Sequence, residues 1–193
     1  MARTKNTEAQ NPEEEQVQTV VQPVAEETTG NTEETQANAI TIESADDGVA
    51  IMSGGETLLV VALTEQQTTF GGDESDDLEE DIPSPGMTSM DGQQRSAFLS
   101  EFYEREEKTV PAIDACKDFG WLPSGGEMAL IFAHKEAVNA KIVELGGTPI
   151  GDGKYWTSQR FSNDRMWHCD MNNGYFGIAL GTKSVAGVRA VRK

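Results

Sequence analysis

Basic and aromatic residues are nearly missing from the first half of this chain of 193 residues. Residues 1–90 hold 20 acidic and 2 basic side chains, whereas residues 91–193 hold 13 of each. Of the 13 Phe, Tyr and Trp residues, only Phe70 precedes residue 98. Because aromatic side chains supply much of the apolar area that folding buries, a packed core is expected mainly in the C-terminal half.

The formal charge of −18 therefore comes entirely from the first half, and it argues against two classes of partner. Nucleic-acid binding needs clustered Lys and Arg to contact phosphates, so we expect no nucleic-acid partner. Adhesion to an anionic membrane surface is disfavoured for the same reason. A basic or neutral partner fits this charge.

Cysteine is scarce as well, and long apolar runs are missing. With only Cys116 and Cys169, the chain has no disulfide framework. Two separate buried thiols are favoured, and one bridge is the alternative. No stretch approaches the roughly 20 apolar residues that a membrane span needs. No secretory signal follows Met1, so we expect no membrane insertion and no export.

Residues 1–37 are rich in Glu, Gln, Thr and Asn and contain no aromatic residue. Their main apolar side chains have helical spacing but form a thin stripe: Val17, Val20, Val21 and Val24. Such a segment cannot bury enough apolar surface to offset its ordering entropy, so an extended or disordered arm is predicted. It is either an attachment arm that orders along a partner or a plain solubilising tail.

Strong β runs follow the arm. Residues 49–52 and 58–63 are apolar, and the intervening Ser53-Gly54-Gly55 signals a hairpin turn. The acidic loop at 73–86 is open to a calcium interpretation, but its spacing does not match the EF-hand loop, and a solvated surface loop is favoured. We therefore predict one domain over residues 38–193.

Helical signals occupy the middle of the chain and strand signals its end. Ser124 and Glu127 form a capping box, Pro111 suits a first helical position, and a helix break is predicted near His134. Short strands follow, joined by a tight turn at Asn173-Gly174. Helices in the middle and antiparallel strands at the end predict an α+β domain.

The same region carries several short motifs in a fixed order. They are Gly120-Trp121-Leu122-Pro123-Ser124-Gly125-Gly126-Glu127, Tyr155-Trp156-Thr157-Ser158-Gln159, Met166-Trp167, Asn173-Gly174 and Val188-Arg189-Ala190-Val191-Arg192. This order resembles the C-type-lectin-like domain at the C-terminus of the Legionella collagen-like adhesin, which is abundant in gut Bacteroidetes and their phages. The resemblance covers about residues 46–193. It implies a C-type-lectin-like domain with two or three helices and short antiparallel strands.

Most motif residues are expected to serve as scaffold. They are Trp121, Pro123, Glu127, Tyr155, Trp156, Gly174, Arg189 and Arg192. For the tryptophans of these motifs, core packing is favoured over the alternative, which is stacking of a sugar on the indole. The two arginines are expected to bridge to carboxylates or carbonyls.

No catalytic arrangement stands out in the sequence. His134 and His168 lack the paired spacing with cysteine that a zinc site needs. The resemblance implies a fold shared with formylglycine-generating enzymes, whose activity needs a cysteine pair. Cys116 is predicted on a helix and Cys169 on a strand, so that pair does not map onto this chain. We predict no enzyme activity, no metal and no cofactor.

The loops between the terminal strands are the candidate ligand site. They carry charged, amide and aromatic side chains of the kind that contact sugars or protein surfaces. These residues are Arg160, Asn163, Asp164, Trp167, His168, Asp170, Asn172, Asn173 and Tyr175. An equally weighted alternative is that these are ordinary polar residues of hairpin loops with no ligand, because the turn alone explains the Asn-Asn-Gly run.

Together these features predict a non-enzymatic binding module, specifically a phage virion head fibre or capsid decoration protein. The arm would bind virion or capsid proteins, and the lectin-like domain would face a host-surface glycan or protein. The expected location is the virion, and a homotrimer is the expected assembly. A bacterial surface adhesion module and a receptor-binding protein diversified by a retroelement are the alternatives.

Overall fold

The computed structural model describes residues 39–71, 89–162, 165–178 and 180–193. The predicted arm and the predicted acidic loop lie outside these residues. In the described part the strands are β1 (Ile40–Ser44), β2 (Gly48–Ser53), β3 (Glu56–Ala62), β4 (Gln66–Thr69), β5 (Lys154–Ser162), β6 (Arg165–Asp170), β7 (Tyr175–Gly177), β8 (Val185–Val188) and β9 (Val191–Arg192). The helices are α1 (Gly92–Arg105), α2 (Pro111–Asp114), α3 (Gly125–Ala133) and α4 (Lys135–Glu144).

The first sheet is built on the apolar runs of the N-terminal half, with the strand order β1-β2-β3-β9. β2 and β3 form the predicted hairpin, and both of its turn glycines, Gly54 and Gly55, have positive φ. That conformation suits glycine because it has no Cβ. Val49, Ile51 and Val61 are fully buried, so this sheet is part of the core.

The second sheet has the order β4-β8-β5-β6-β7. Its pairings are antiparallel except between β5 and β8, where Tyr155 and Gly187 pair in parallel. After β8 the chain crosses to the first sheet and becomes β9, which pairs with β3. The terminal motif from Val188 to Arg192 is thus divided between two sheets.

The helices begin and end at the signals that the sequence carries. The capping box of α3 is confirmed, since Glu127 N–H donates to Ser124 Oγ and Ser124 N–H donates to the Glu127 carboxylate. Pro111 is the first residue of α2, and His134 separates α3 from α4. In the part of the chain that the structure describes, no helix has the length and apolar character that crossing a membrane requires.

Two apolar clusters fill the interior. Trp156 is 0% exposed in the first cluster, where Phe70 meets it edge to face at 5.7 Å and Thr68 O accepts its indole N–H. Trp121 is 8% exposed in the second cluster, and it pairs with Val191 as an extension of the first sheet. Both indoles are therefore core side chains.

Arg189 ties distant segments of the chain together. Its guanidinium donates to Ala62 O at 3.0 Å, to Thr148 O at 2.8 Å and to the Glu65 carboxylate at 2.7 Å. The Tyr155 hydroxyl donates to the same carboxylate at 2.6 Å. Burial and the neighbouring Glu65 raise the pKa of Tyr155, so the phenol stays protonated.

The fold class expected from the lectin-like resemblance, α+β with two or three helices and short antiparallel strands, is wrong. Strands predominate over helices in the described residues, with nine strands in two sheets and four short helices. That expectation rests on the helical signals in the middle of the chain and the short strands at its end. In the structure the early β runs form β2 and β3, which pair with each other, and β3 also pairs with the C-terminal strand β9 in the first sheet.

Candidate functional site

The turn between β6 and β7 is held by its own polar groups. Asp170 Oδ1 accepts from Asn172 N–H at 3.0 Å, and Asn173 Oδ1 accepts from Tyr175 N–H at 2.9 Å. Gly174 has φ +72°, and a Cβ there would lie 2.4 Å from the Phe132 ring. The carboxylate of Asp170 and the amide oxygen of Asn173 thus stabilise the turn, while the Asn172 side chain is exposed to solvent.

A cleft of about 610 Å³ lies between this turn and the junction of α3 with α4. We call it the turn cleft. Its lining consists of Phe132, Ala133, His134, Lys135, Glu136, Ala137, Asn139, Asp152, Met171 and Asn172. The lining combines an aromatic ring with imidazole, ammonium, carboxylate and amide groups, which is a composition that small-ligand sites share.

Lys135 fixes the geometry of the turn cleft. Its ammonium donates to Met171 O at 2.8 Å and to the carboxylate of Asp152. The Lys135 side chain is 16% exposed, whereas that of Asp152 is 77% exposed. The ammonium is therefore directed into the protein, and the carboxylate faces solvent.

Asn139 also lines the turn cleft. Its side-chain amide donates to Ile150 O at 2.9 Å, and its side-chain oxygen accepts from Ile150 N–H at 2.7 Å. Because both halves of this amide are engaged, Asn139 positions the segment that carries Asp152. Of the predicted ligand residues, Asn172 lines the cleft. Lys135, Glu136 and Asp152 also line it, although they were not predicted as ligand residues.

The sheet separates the other predicted ligand residues. Side chains alternate along a strand, and directly paired residues share a face. His168 pairs with Gly177 and Asp170 pairs with Tyr175, so His168, Asp170 and Tyr175 belong to one face. Trp167 belongs to the other. The sequence placed all of these residues in one site, but the pleat distributes them over two surfaces.

Trp167 is half-buried and forms an edge-to-face pair with Phe161 at 5.7 Å. Phe161 is 52% exposed and was not among the predicted ligand residues. The sequence feature that points to Phe161 is its position next to Arg160 near the end of a strand. Phe161 and Trp167 thus form a partly exposed aromatic pair. The predicted Asn163 and Asp164 are outside the described residues.

His168 is 1% exposed, and its Nδ1 has no hydrogen-bond partner. A Cβ at Gly177 would lie 3.0 Å from the imidazole ring, so the neighbouring strand closes over it. Burial lowers the pKa of His168; Lys154 lowers it further, and Asp170 opposes them. A neutral, enclosed imidazole is out of reach of a ligand.

Arg160 is also buried, and its Nε–H donates to Ser162 O at 2.8 Å. This bond spans two residues within β5, at the point where the pairing of β5 with β6 is irregular. Arg160 therefore helps to shape the end of its own strand. Tyr175, by contrast, is 66% exposed at the start of β7.

The motif residues form an internal framework. Glu127 is buried and accepts from the Trp121 indole at 3.3 Å and from Ser124 N–H at 2.7 Å. Burial raises the pKa of Glu127, although the hydrogen bonds that it accepts oppose the shift. The carbonyl of the buried Pro123 accepts from Ser158 N–H at 2.8 Å. These contacts join the start of α3 to β5.

Groups typical of metal and thiol chemistry are dispersed. Within the described ranges, no group of three or more His, Cys, Asp or Glu side chains is arranged to hold a metal ion. Cys116 and Cys169 are separate buried thiols, and burial raises the pKa of each to about 12. Thiols with such a raised pKa are poor nucleophiles, because the thiolate is the reactive form.

No protein-family model and no curated protein match this chain. Among solved structures, the chain is similar to a fimbrial protein from Bacteroides ovatus, with a sequence identity of 14% and a TM-score of 0.57. The similarity covers 69% of this chain and 35% of that protein. At this identity the likeness concerns the fold alone: the described domain resembles a fimbrial-protein fold. The sequence resemblance to the lectin-like family stays a prediction.

Proposed function

We propose that this protein is a non-enzymatic adhesion module that holds a surface ligand in the turn cleft. The observation that carries the proposal is the cleft itself. Two of its groups are exposed. The Asp152 carboxylate is paired with Lys135, which also donates to Met171 O. The Asn172 amide belongs to a turn that hydrogen bonds stabilise. The Asp152 carboxylate is held by Lys135, so it loses little entropy when a ligand binds.

Two further features support adhesion over catalysis. Three side chains suited to proton transfer or nucleophilic attack, His168 and the two cysteines, are buried, while His134 is half-buried in the lining of the turn cleft. The neighbouring fold belongs to a protein described as fimbrial, and fimbriae are surface structures. The chain spans about a third of that protein's length, so a role in a whole fimbria is not carried over.

Adhesion is tested with beads coated with the full chain. We expect saturable attachment to washed Bacteroides cells or to immobilised mucin, with competition by the free chain. Asp152→Ala should reduce attachment, because it removes an exposed carboxylate from the cleft. Glu144→Ala is the matched control, since Glu144 is also an exposed carboxylate paired with a lysine but lies outside the cleft. Attachment no greater than that of uncoated beads would reject the proposal.

The finer role, a virion head fibre or capsid decoration protein with its arm on the particle, is supported by the acidic N-terminal segment alone. Its test is quantitative proteomics of purified particles and of washed host envelopes. Enrichment in particles, lost on deletion of residues 1–37, would support the virion role. Enrichment in envelopes would favour the alternative, a bacterial surface adhesion module.

A further inference from the structure

We infer that the ligand of the turn cleft is a neutral saccharide, and that acidic saccharides are excluded. This inference rests on the proposed function and names the ligand class of the same site. Its basis is the combination of hydrogen-bonding groups and net charge in the cleft.

The exposed groups of the cleft both accept and donate hydrogen bonds. Among the described residues, Asp152 uses Oδ1 to accept from Lys135, which leaves Oδ2 for a ligand. Asn172 presents an exposed amide with one acceptor and two N–H donors. A hydroxyl group donates and accepts at once, so a sugar that carries several hydroxyls matches such a mixed lining.

The charge of the cleft selects against anions. The ammonium of Lys135 is neutralised by Asp152 and also donates to Met171 O, inside the wall. Glu136 adds an exposed, negatively charged side chain on the same rim. Lys135, Asp152 and Glu136 together carry one net negative charge in the cleft. A carboxylate or sulfate on a sugar would therefore meet like charge, which costs affinity.

The size and the apolar part of the cleft fit the same class. A volume of about 610 Å³ falls within the range of roughly 300–1,000 Å³ that is usual for ligand sites. The half-buried Phe132 ring and Ala133 provide an apolar stretch of wall for the C–H face of a pyranose ring. The exposed Glu136 and Asn172 leave the cleft open to solvent, which suits the end of a surface-attached glycan.

The test is a glycan array probed with the labelled full chain. The array carries neutral oligosaccharides ending in mannose, galactose or glucose, and their sialylated, uronate-containing or sulfated counterparts. We expect binding to at least one neutral series and none to its acidic counterpart. Because each lost hydrogen bond to a charged group costs affinity, Asp152→Ala should weaken binding about tenfold, and Asn172→Ala should weaken it as well. Glu144→Ala should leave it unchanged.

Each outcome separates this inference from the proposed function. Binding of acidic glycans, or neutral binding that neither cleft variant changes, overturns the inference. So does attachment of the beads that depends on Asp152 when no glycan on the array is bound, and in that case the adhesion function stands. Absence of both bead attachment and array binding overturns the two proposals together.

Discussion

Glu127 shows how one buried side chain determines a local structure. Its carboxylate satisfies the backbone N–H of Ser124 and the indole N–H of Trp121, both of which are buried. Burial raises its pKa nonetheless, so the charged form is tolerated rather than favoured. Glu127 therefore matters as an acceptor for buried N–H donors rather than as a negative charge.

We expect Glu127→Ala to destabilise the protein by about 3 kcal/mol, because it leaves two or more buried donors without acceptors. Glu127→Gln keeps one side-chain oxygen and removes the buried charge, so its cost should be clearly smaller. The measurement is the free energy of unfolding from urea titration at pH 7. Equal stabilities for the Ala and Gln variants would contradict this account of Glu127.

His168 gives the stability a dependence on pH. Its folded pKa is lowered, chiefly by burial, so between the folded and the unfolded pKa the unfolded chain binds more protons. The contribution of His168 to stability is therefore complete above the unfolded pKa of about 6.5, and it is lost as the pH falls toward the folded pKa. Lys154 strengthens this effect and Asp170 weakens it.

The predicted result is a smaller drop in the urea midpoint between pH 7.5 and pH 5.5 for His168→Gln than for the unchanged protein. Glutamine does not titrate, so the comparison isolates the imidazole. An identical drop in both proteins would mean that His168 is protonated in the folded state as easily as in the unfolded chain.

At the scale of elements, the β6–β7 turn depends on a close approach between glycine and an aromatic ring. Gly174 and Gly55 both have positive φ, at +72° and +80°. A Cβ at Gly55 would meet nothing within 4 Å, whereas one at Gly174 would overlap Phe132. These two hairpin positions therefore differ in packing but not in backbone conformation.

Gly55→Ala should cost about 1 kcal/mol, which is the strain of a left-handed alanine. Gly174→Ala should cost a further 1–3 kcal/mol or so, because the Phe132 ring must move in a packed wall. Thermal unfolding of the two variants provides the comparison. If both variants lose the same stability, the Phe132 ring moves away without cost and is not rigidly packed in the wall of the turn cleft.

Some of these elements could be predicted from the sequence and others could not. The Ser53-Gly54-Gly55 turn, the Ser124–Glu127 capping box and the Asn173-Gly174 turn are encoded within a few residues, and the structure has all three. The division of the last strand into β8 and β9 depends on partners more than 100 residues away, so no local pattern reveals it.

The candidate site likewise combines residues that the local sequence predicts with residues that only the fold brings together. Asn172 was predicted from the composition of its loop. Lys135, at the start of a helix, and Asp152, in a loop, come together with the β6–β7 turn only in the folded chain. In the sequence, each of the two residues is typical of an ordinary surface charge. Trp167 and His168 are neighbours in a strand, so their side chains are expected on opposite faces of the sheet. Loop composition does not show this separation.

At the scale of the whole molecule, cross-connections between distant segments hold the two sheets in one domain. Arg189 follows β8 in the second sheet and donates to Ala62, at the end of β3 in the first. Its bonds to Glu65 and Thr148 add the β3–β4 connection and the segment after α4. Arg192 contacts Asp47 in a partly exposed pair and lies over the Phe119 ring.

We expect Arg189→Met to destabilise the protein by about 3–5 kcal/mol, since it leaves a largely buried Glu65 carboxylate without its cation. Arg192→Met is the matched control, and its loss should be about 1 kcal/mol or less because an exposed pair is screened by water. Both values come from urea unfolding monitored by tryptophan fluorescence, which reports on the buried indoles of Trp121 and Trp156. A single transition in each variant is expected, because the Arg189 contacts belong to one cooperative unit. Equal losses for the two arginines would show that the contacts of Arg189 do not hold the sheets together, and separate transitions would show that the two sheets unfold independently.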